Sequence, residues 1–228
     1  HNILEKNIDP YLPSGAAGPF LTDLIERSMV LLKKNPVNPH ADSVWFWGEG
    51  TKPGLAPFGE RYGLRGAVIT AVDLVRGLAK LSGWETIDVP GATAYFDTNY
   101  RGKGSYAIDA LSRYDLVTVH IEAPDEAGHK GDPAEKIRAL ENIDTHIVSP
   151  LLAALRNTYG SWRVLLLPDH PTPCAVRTHT HEPVLFASLA DTDKGSGSTR
   201  FTEKEAAKSA LFIEPGHLLM GRFLRGDF

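Results

Sequence analysis

Hydrophobic residues recur along this chain in two patterns, and together they predict its secondary structure. Short continuous apolar runs are typical of buried strands. They occupy residues 66–72, 86–89, 115–121, 162–167 and 183–188, and the run over 115–121 is expected to be the central strand, buried on both faces. The predicted helices occupy residues 20–34, 73–81, 106–111, 132–159, 203–211 and 217–224. Because strands and helices alternate, we expect an α/β fold with a mainly parallel sheet flanked by helices.

Local sequence signals set several of these boundaries. Asp132 and Pro133 are preferred residue types for the N-cap and the first position of a helix. Asp73 is interpreted as the N-cap of the helix that follows it. Residues 35–39 contain two Asn-Pro pairs, which should end the first helix. Pro150 should kink or divide the longest predicted helix.

Three segments are expected to be short or irregular. Residues 43–50 are predicted to form a short aromatic strand that runs into a glycine turn. This strand either packs in the core or places its turn against a ligand. Two glycines alone are weak evidence that the turn binds phosphate. Residues 93–103 are predicted to be mostly loop, and residues 190–202 to be a polar loop rich in glycine and serine.

Composition limits the classes of protein to consider. The chain has 228 residues, of which 42% are hydrophobic and 23% charged, as in ordinary globular domains. Its net charge of −4 does not indicate a positively charged surface of the kind that binds nucleic acid. The sequence contains no apolar run of about 18 residues, so no membrane helix is expected. The single cysteine, Cys174, excludes an internal disulfide and predicts a reducing, cytoplasmic location. The oligomeric state stays open.

Carboxylates and histidines follow the ends of several predicted strands. Asp125 and His129 lie four apart in the predicted turn after strand 115–121. Asp169 and His170 follow the strand over 162–167, and His179 comes shortly before the next one. In open parallel sheets, ligands bind beyond the carboxyl ends of strands. We therefore expect these five side chains to meet at one edge of the sheet.

This donor set predicts a metal site, and more specifically a site for two metals. A carboxylate with two imidazoles is a common first shell for Zn or Mn. Five ligands exceed what one catalytic metal takes, and two metals about 4 Å apart can clamp a phosphoryl oxygen. Each residue also has an ordinary interpretation: Asp125 could cap the next segment, His129 could be a surface histidine, and of His179 and His181 at least one should be surface.

Three other side chains are candidates for chemistry. Arg101 and Lys103 follow the loop over residues 97–100 and could hold a phosphate or carboxylate of a substrate. For Arg101, a solvated loop charge explains the residue equally well. Cys174 lies between Pro173 and Ala175, which cannot stabilise a thiolate, so we interpret it as an inert thiol rather than a nucleophile.

Three motifs resemble those of one enzyme family. They are Asp125-Glu126-Ala127-Gly128-His129, Asp169-His170-Pro171-Thr172-Pro173, and Thr178-His179-Thr180-His181-Glu182-Pro183-Val184. The family is that of the archaeal-type cofactor-independent (2,3-bisphosphoglycerate-independent) phosphoglycerate mutases of the alkaline phosphatase superfamily. The resemblance runs over roughly residues 35–190, with support from residues 45–50, 89–93 and 97–100.

The resemblance implies an alkaline phosphatase-like core and two divalent metal ions, which would be Mn, Zn or Mg, without 2,3-bisphosphoglycerate as cofactor. By matching positions, Asp125, His129 and His179 would hold one metal, and Asp169 and His170 the other. The implied substrate is a small phosphorylated molecule, phosphoglycerate. Its phosphoryl group would move between the 3- and 2-hydroxyls through a phosphoserine.

The implied serine, and a further aspartate, have no matching position in this sequence and are expected upstream of His1. We therefore expect the chain to be part of a longer protein and inactive alone. Residues 1–40 would be the remnant of an inserted domain, and residues 41–228 the C-terminal part of the metal-binding domain. Two alternatives stay open: another phosphate-monoester enzyme of the superfamily, such as a phosphatase or phosphopentomutase, and a non-catalytic metal-binding domain.

Overall fold

The computed structural model describes residue 3 and residues 6–33, 40–48, 50–193, 198 and 200–227. The chain forms two compact units, His1–Gly54 and Leu55–Phe228. The sequence-based division at residue 40, and the interpretation of the first part as the end of an inserted domain, stay predictions.

The first unit contains one long helix, α1 (Gly18–Leu32), close to the predicted span. Its buried face includes Ile25 and Ser28. The Ser28 hydroxyl donates to the Ile25 carbonyl at 2.6 Å and accepts from the Val44 backbone N–H at 2.9 Å. Residues 35–39, which were predicted to end this helix, lie outside the described residues.

The aromatic segment after α1 is not a strand, so that prediction was wrong. Residues 41–47 belong to no helix or strand, and Trp47 is 74% exposed. A strand needs a neighbouring strand to accept its backbone hydrogen bonds, and this segment instead bonds to a side chain of α1. Gly48 turns the chain with φ of +64°, and Glu49 lies outside the described residues.

The second unit alternates strands and helices. Its helices are α2 (Phe58–Tyr62), α3 (Asp73–Leu81), α4 (Tyr100–Ala110), α5 (Ala123–Lys130), α6 (Pro133–Ile143), α7 (Ser149–Thr158), α8 (Glu203–Ala206) and α9 (Leu219–Arg225). Its strands are β1 (Gly66–Ile69), β2 (Glu85–Thr86), β3 (Leu116–Val119), β4 (Arg163–Leu166) and β5 (Ala187–Ala190). Of the predicted polar loop, residues 194–197 and 199 lie outside the described residues.

Three strands form a parallel sheet in the order β2-β1-β3. This sheet, with α3 and α4 packed against it, confirms the predicted fold class. Its central strand is β1, all four residues of which are buried, whereas β3 lies at one side and is half-buried. The prediction that the run over 115–121 is central was wrong, because a strand bonded to only one neighbour keeps one side uncovered.

Strands β4 and β5 pair with each other in antiparallel fashion, from Arg163 opposite Ala190 to Leu166 opposite Ala187. The predicted strand over 183–188 therefore starts four residues late, because pairing with β4 begins only at Ala187. Beyond the end of β4, the chain passes through Pro168 into Asp169 and His170.

Helix α4 contains most of the helix predicted over residues 106–111, but it begins earlier, inside a segment that was predicted to be loop. The Asn99 side chain accepts a hydrogen bond from the Gly102 backbone N–H at 2.8 Å, which caps a helix that begins at Tyr100. Arg101 and Lys103 therefore lie on a helix. Gly102 and Gly104 weaken the local helix signal, which explains why the sequence did not reveal the first turns of α4.

The predicted helix over 132–159 is one helical run with an irregular centre. Asp132 caps α6 by accepting from the Glu135 backbone N–H at 2.9 Å, as predicted. A π-turn, Asp144–Val148, separates α6 from α7, so the run is divided just before Pro150, as expected. Proline lacks an N–H and crowds the carbonyl four residues earlier, which is that of His146, and a wider turn relieves this conflict.

Helix α3 has the predicted span, but Asp73 is not its N-cap. Val72 occupies that position, and no side chain caps the helix. The Val72 backbone N–H is bonded instead to the Thr70 hydroxyl at 3.1 Å. No described helix is both long and apolar enough to span a membrane.

Candidate metal centre

Helix α5 places Asp125 and His129 on one face. The segment was predicted to be a turn, and this correction matters because residues four apart on a helix lie side by side. Pro124 lies in the first turn, and Gly131 ends the helix in the left-handed conformation. The His129 Nε2 atom lies 3.2 Å from Asp125 Oδ2, and both side chains are largely buried.

His179 completes a cluster of three donors with this pair. Its Nε2 lies 3.3 Å from Asp125 Oδ1 and 3.0 Å from His129 Nε2. One donor atom from each of the three residues lies within 4.8 Å of the others. The structure therefore brings together one carboxylate and two imidazoles, from α5 and from the segment between β4 and β5.

A hydrogen bond fixes which nitrogen of His129 faces the cluster. His129 Nδ1 lies 3.0 Å from the Arg177 carbonyl oxygen, and only a protonated Nδ1 can donate to it. In the neutral ring, Nε2 then directs its lone pair towards Asp125 and His179. Lone pairs this close repel one another unless a proton or a cation lies among them, so the donor set fits a metal ion. Arg177 holds its carbonyl there with φ of +59°, a left-handed conformation that is uncommon for residues other than glycine.

Asp169 and His170 lie beside this cluster. His170 Nδ1 is 3.9 Å from Asp125 Oδ1, and His170 Nε2 is 3.4 Å from Asp169 Oδ2. The His170 and His179 rings are 3.7 Å apart between centroids. Within the described part of the chain, Asp169 and His170 complete no separate three-donor group.

The structure adds acidic residues that the sequence did not single out. Glu122 and Glu126 form a second close group with Asp125. Burial raises the pKa of Glu122, and the charges of Asp125 and Asp169 raise it further. Burial also lowers the pKa of His179, helped by the neighbouring His170. Residue type alone could not identify Glu122 and Glu126 as members of the site, because acidic residues are common in any sequence.

Lys103 and Arg101 have different environments. Lys103 is only 1% exposed, and its Nζ donates to the His120 carbonyl at 3.3 Å and to the Thr93 carbonyl at 3.4 Å. Burial lowers the pKa of Lys103 to about 8, against an opposing effect of Glu122. Arg101 is exposed, because residues two apart on a helix face different directions.

His120 links the ends of β1 and β3. Its Nδ1 lies 3.1 Å from the Thr70 hydroxyl, and its Nε2 lies 3.4 Å from Glu122 Oε2. Burial lowers the pKa of His120, while the charge of Asp169 opposes this effect. Cys174 is half-buried, with its Sγ 3.9 Å from the Ala127 carbonyl oxygen.

Comparisons with known proteins point in one direction. A family model described as Metalloenzyme superfamily matches residues 20–219. A 2,3-bisphosphoglycerate-independent phosphoglycerate mutase of Methanothrix thermoacetophila is 50% identical, over 99% of this chain and 60% of that protein. The comparisons confirm the resemblance to this enzyme family. The chain spans 58–60% of the length of the first two curated relatives.

Two solved structures share the fold. A protein from Pyrococcus horikoshii is 29% identical with a TM-score of 0.68, over 74% of this chain and 50% of its own. A cofactor-independent phosphoglycerate mutase from Thermoplasma acidophilum has a TM-score of 0.57 at 22% identity, over 93% of this chain and 53% of its own.

Proposed function

Since this chain belongs to the Metalloenzyme superfamily, we propose that it is the metal-binding part of a cofactor-independent phosphoglycerate mutase. The longer protein would interconvert 3-phosphoglycerate and 2-phosphoglycerate without 2,3-bisphosphoglycerate. The observation that carries the proposal is the convergence of Asp125, His129 and His179, whose donor atoms lie within 4.8 Å of one another. Two relatives that carry the enzyme's name align with 97% and 99% of this chain.

In this proposal Asp125, His129 and His179 hold one divalent ion, and Asp169 and His170 contribute to a second. Imidazole and carboxylate donors suit Mn and Zn, and Mg is the third candidate. When bound, the ions supply positive charge that neutralises a transferring phosphoryl group. Three protein ligands leave a coordination position for an oxygen of the substrate.

Lys103 would add a fixed positive charge near this centre. Two backbone carbonyls hold its ammonium group, so it is positioned before a substrate arrives. Arg101 is exposed, and its contact with the substrate stays a prediction from the sequence. Phosphoryl transfer depends on positioning and charge more than on proton transfer, and buried cations suit that requirement.

The phosphoserine of this reaction would form on the part of the longer protein that supplies the nucleophilic serine. We therefore expect the 228-residue chain alone, with Mn²⁺ added, to show no turnover of 3-phosphoglycerate in a coupled mutase assay. The same assay on an intact relative provides the positive control. Turnover by this chain near that of the intact enzyme would contradict the division of the site.

The metal centre is tested by calorimetric titration of Zn²⁺ or Mn²⁺ into the chain. We expect His129→Ala to abolish or strongly weaken the binding. His181→Ala is the matched control, because His181 is an exposed histidine two residues from a proposed ligand. Identical titration curves for the wild type and the two variants would contradict the proposed metal centre.

Two other functions would use the same donors. A phosphatase or phosphopentomutase of the superfamily would share the metal ligands, and a panel of phosphate monoesters on the full-length protein separates these substrates. A non-catalytic metal-binding domain would bind the ions in the titration, yet the full-length protein would turn over no member of the panel.

A further inference from the structure

Thr172 is buried between the two groups of proposed metal ligands. It is 4% exposed, and its hydroxyl donates a hydrogen bond to Asp125 Oδ1. The Thr172 hydroxyl oxygen also lies 3.3 Å from His170 Nδ1. One side chain thus touches a member of the cluster on α5 and a member of the Asp169–His170 pair.

The number of protons determines how these groups can bond. A hydroxyl has one hydrogen to donate, and an ionised carboxylate can only accept. The Thr172 hydrogen therefore points to Asp125, and its oxygen presents a lone pair to His170. That second contact is favourable when His170 Nδ1 carries the hydrogen. The Nε2 atom of His170 is then the lone-pair donor, and it lies 3.4 Å from Asp169 Oδ2.

The backbone of Thr172 is fixed from two sides. The Lys136 ammonium group donates to the Thr172 carbonyl at 2.7 Å. On α5, a Cβ added to Gly128 would lie 2.3 Å from that carbonyl oxygen and 2.8 Å from the Thr172 methyl carbon. Only a glycine allows the two segments to approach this closely, so the position of the Thr172 backbone beside α5 is fixed.

We propose that Thr172 is a positioning residue that orients the Asp125 carboxylate and fixes the Nδ1–H tautomer of His170. The Arg177 carbonyl plays the same role for His129, because it accepts a hydrogen bond from Nδ1 and so leaves Nε2 facing the cluster. Hydrogen bonds of this kind to metal-binding histidines set both ring orientation and basicity. The effect on metal affinity rests on the proposed function, whereas the tautomer does not.

The tautomer is measured without metal, by two-bond ¹H–¹⁵N correlation spectra of the full chain labelled with ¹⁵N-histidine. At about pH 8.5, where an ordinary imidazole is neutral, we expect His170 to carry its proton on Nδ1. Thr172→Val should shift the ring towards the Nε2–H form, and Thr172→Ser should restore Nδ1–H. Thr98→Val is the matched control, because Thr98 is also buried but its hydroxyl accepts from the Thr93 backbone.

Zinc titration of the same proteins provides the second measurement. Thr172→Val should weaken binding roughly 10- to 100-fold, and Thr172→Ser should recover most of the loss. A wild-type His170 in the Nε2–H form overturns the inference, even if the valine variant fails to fold. Unchanged tautomer and affinity in a folded Thr172→Val protein overturn it too. If the wild type binds no metal, the proposed function fails, and the spectra still decide the role of Thr172.

Discussion

The backbone of Gly128 approaches the Thr172 carbonyl so closely that a Cβ at residue 128 would lie 2.3 Å from its oxygen. We expect Gly128→Ala to lower the free energy of unfolding by about 1–3 kcal/mol, because the added carbon forces the two segments apart. Zinc affinity should also fall, roughly tenfold or more, since Thr172 would move away from Asp125. Urea denaturation and calorimetric titration measure the two effects. An alanine variant with wild-type zinc affinity would show that this approach does not hold the centre.

A second close approach joins α4 to the π-turn. A Cβ on Gly104 would lie 2.2 Å from the His146 carbonyl oxygen. We expect Gly104→Ala to lower the free energy of unfolding by about 1–3 kcal/mol, with little change in zinc affinity. Gly77→Ala is the control, because Gly77 lies in the exposed part of α3 with nothing within 4 Å of an added Cβ. That control should raise the free energy of unfolding by about 0.5–1 kcal/mol, and equal effects of the two substitutions would contradict the close packing.

Burial of Lys103 predicts a dependence of stability on pH. The folded-state pKa of about 8 lies below the value of about 10.4 for an unfolded lysine. Between these values the unfolded chain binds more protons, so stability should rise with pH across the window, by up to about 3 kcal/mol. Below pH 8 the charged lysine is protonated in both states, and its burial penalty is fully present.

The measurement is urea denaturation at several pH values for the wild type and for Lys103→Met. The difference between the two proteins removes the contribution of other titrating groups. We expect that difference to change in favour of the wild type above pH 8 and to be constant below it. A difference that is flat across the whole window would mean that Lys103 titrates normally.

Two aspartates at helix starts should behave differently. Asp132→Ala removes the side-chain acceptor for the Glu135 N–H and should cost about 1 kcal/mol. Asp73→Ala removes no cap bond, so only its smaller, salt-sensitive interaction with the helix dipole is lost. Thermal unfolding with and without roughly 0.5 M NaCl separates the two, because salt screens exposed charges but leaves a cap hydrogen bond in place. Equal, salt-sensitive losses would argue against the cap at Asp132.

Elements with strong local signals could be predicted from the sequence. Helix α3 has the predicted limits, and α6 begins where Asp132 and Pro133 indicate. Only the second half of helix α4 was predicted, because the glycines in its first half lower helix propensity, and one of them serves a contact with a distant turn. The aromatic segment was mistaken for a strand because pairing depends on a partner elsewhere in the chain.

The residues of the candidate site likewise divide into those that the sequence indicated and those that only the structure identified. The sequence indicated Asp125, His129 and His179 because residue type and position after strands carry chemical information. Thr172 carried no such signal, since its role depends on a contact with Asp125, 47 residues away. Lys103 was singled out for its charge, but its burial followed only from the position of α4.

The π-turn sets the rotational phase of the helical run that supports the site. Ala139 in α6 and Leu155 in α7 are both buried. At about 100° per residue, an uninterrupted α-helix would carry these two side chains to nearly opposite sides. A π-turn holds one residue more than an α-turn and so removes about 100° of that rotation. One surplus residue thus leaves the two buried positions about 60° apart around the helical run instead of nearly opposite.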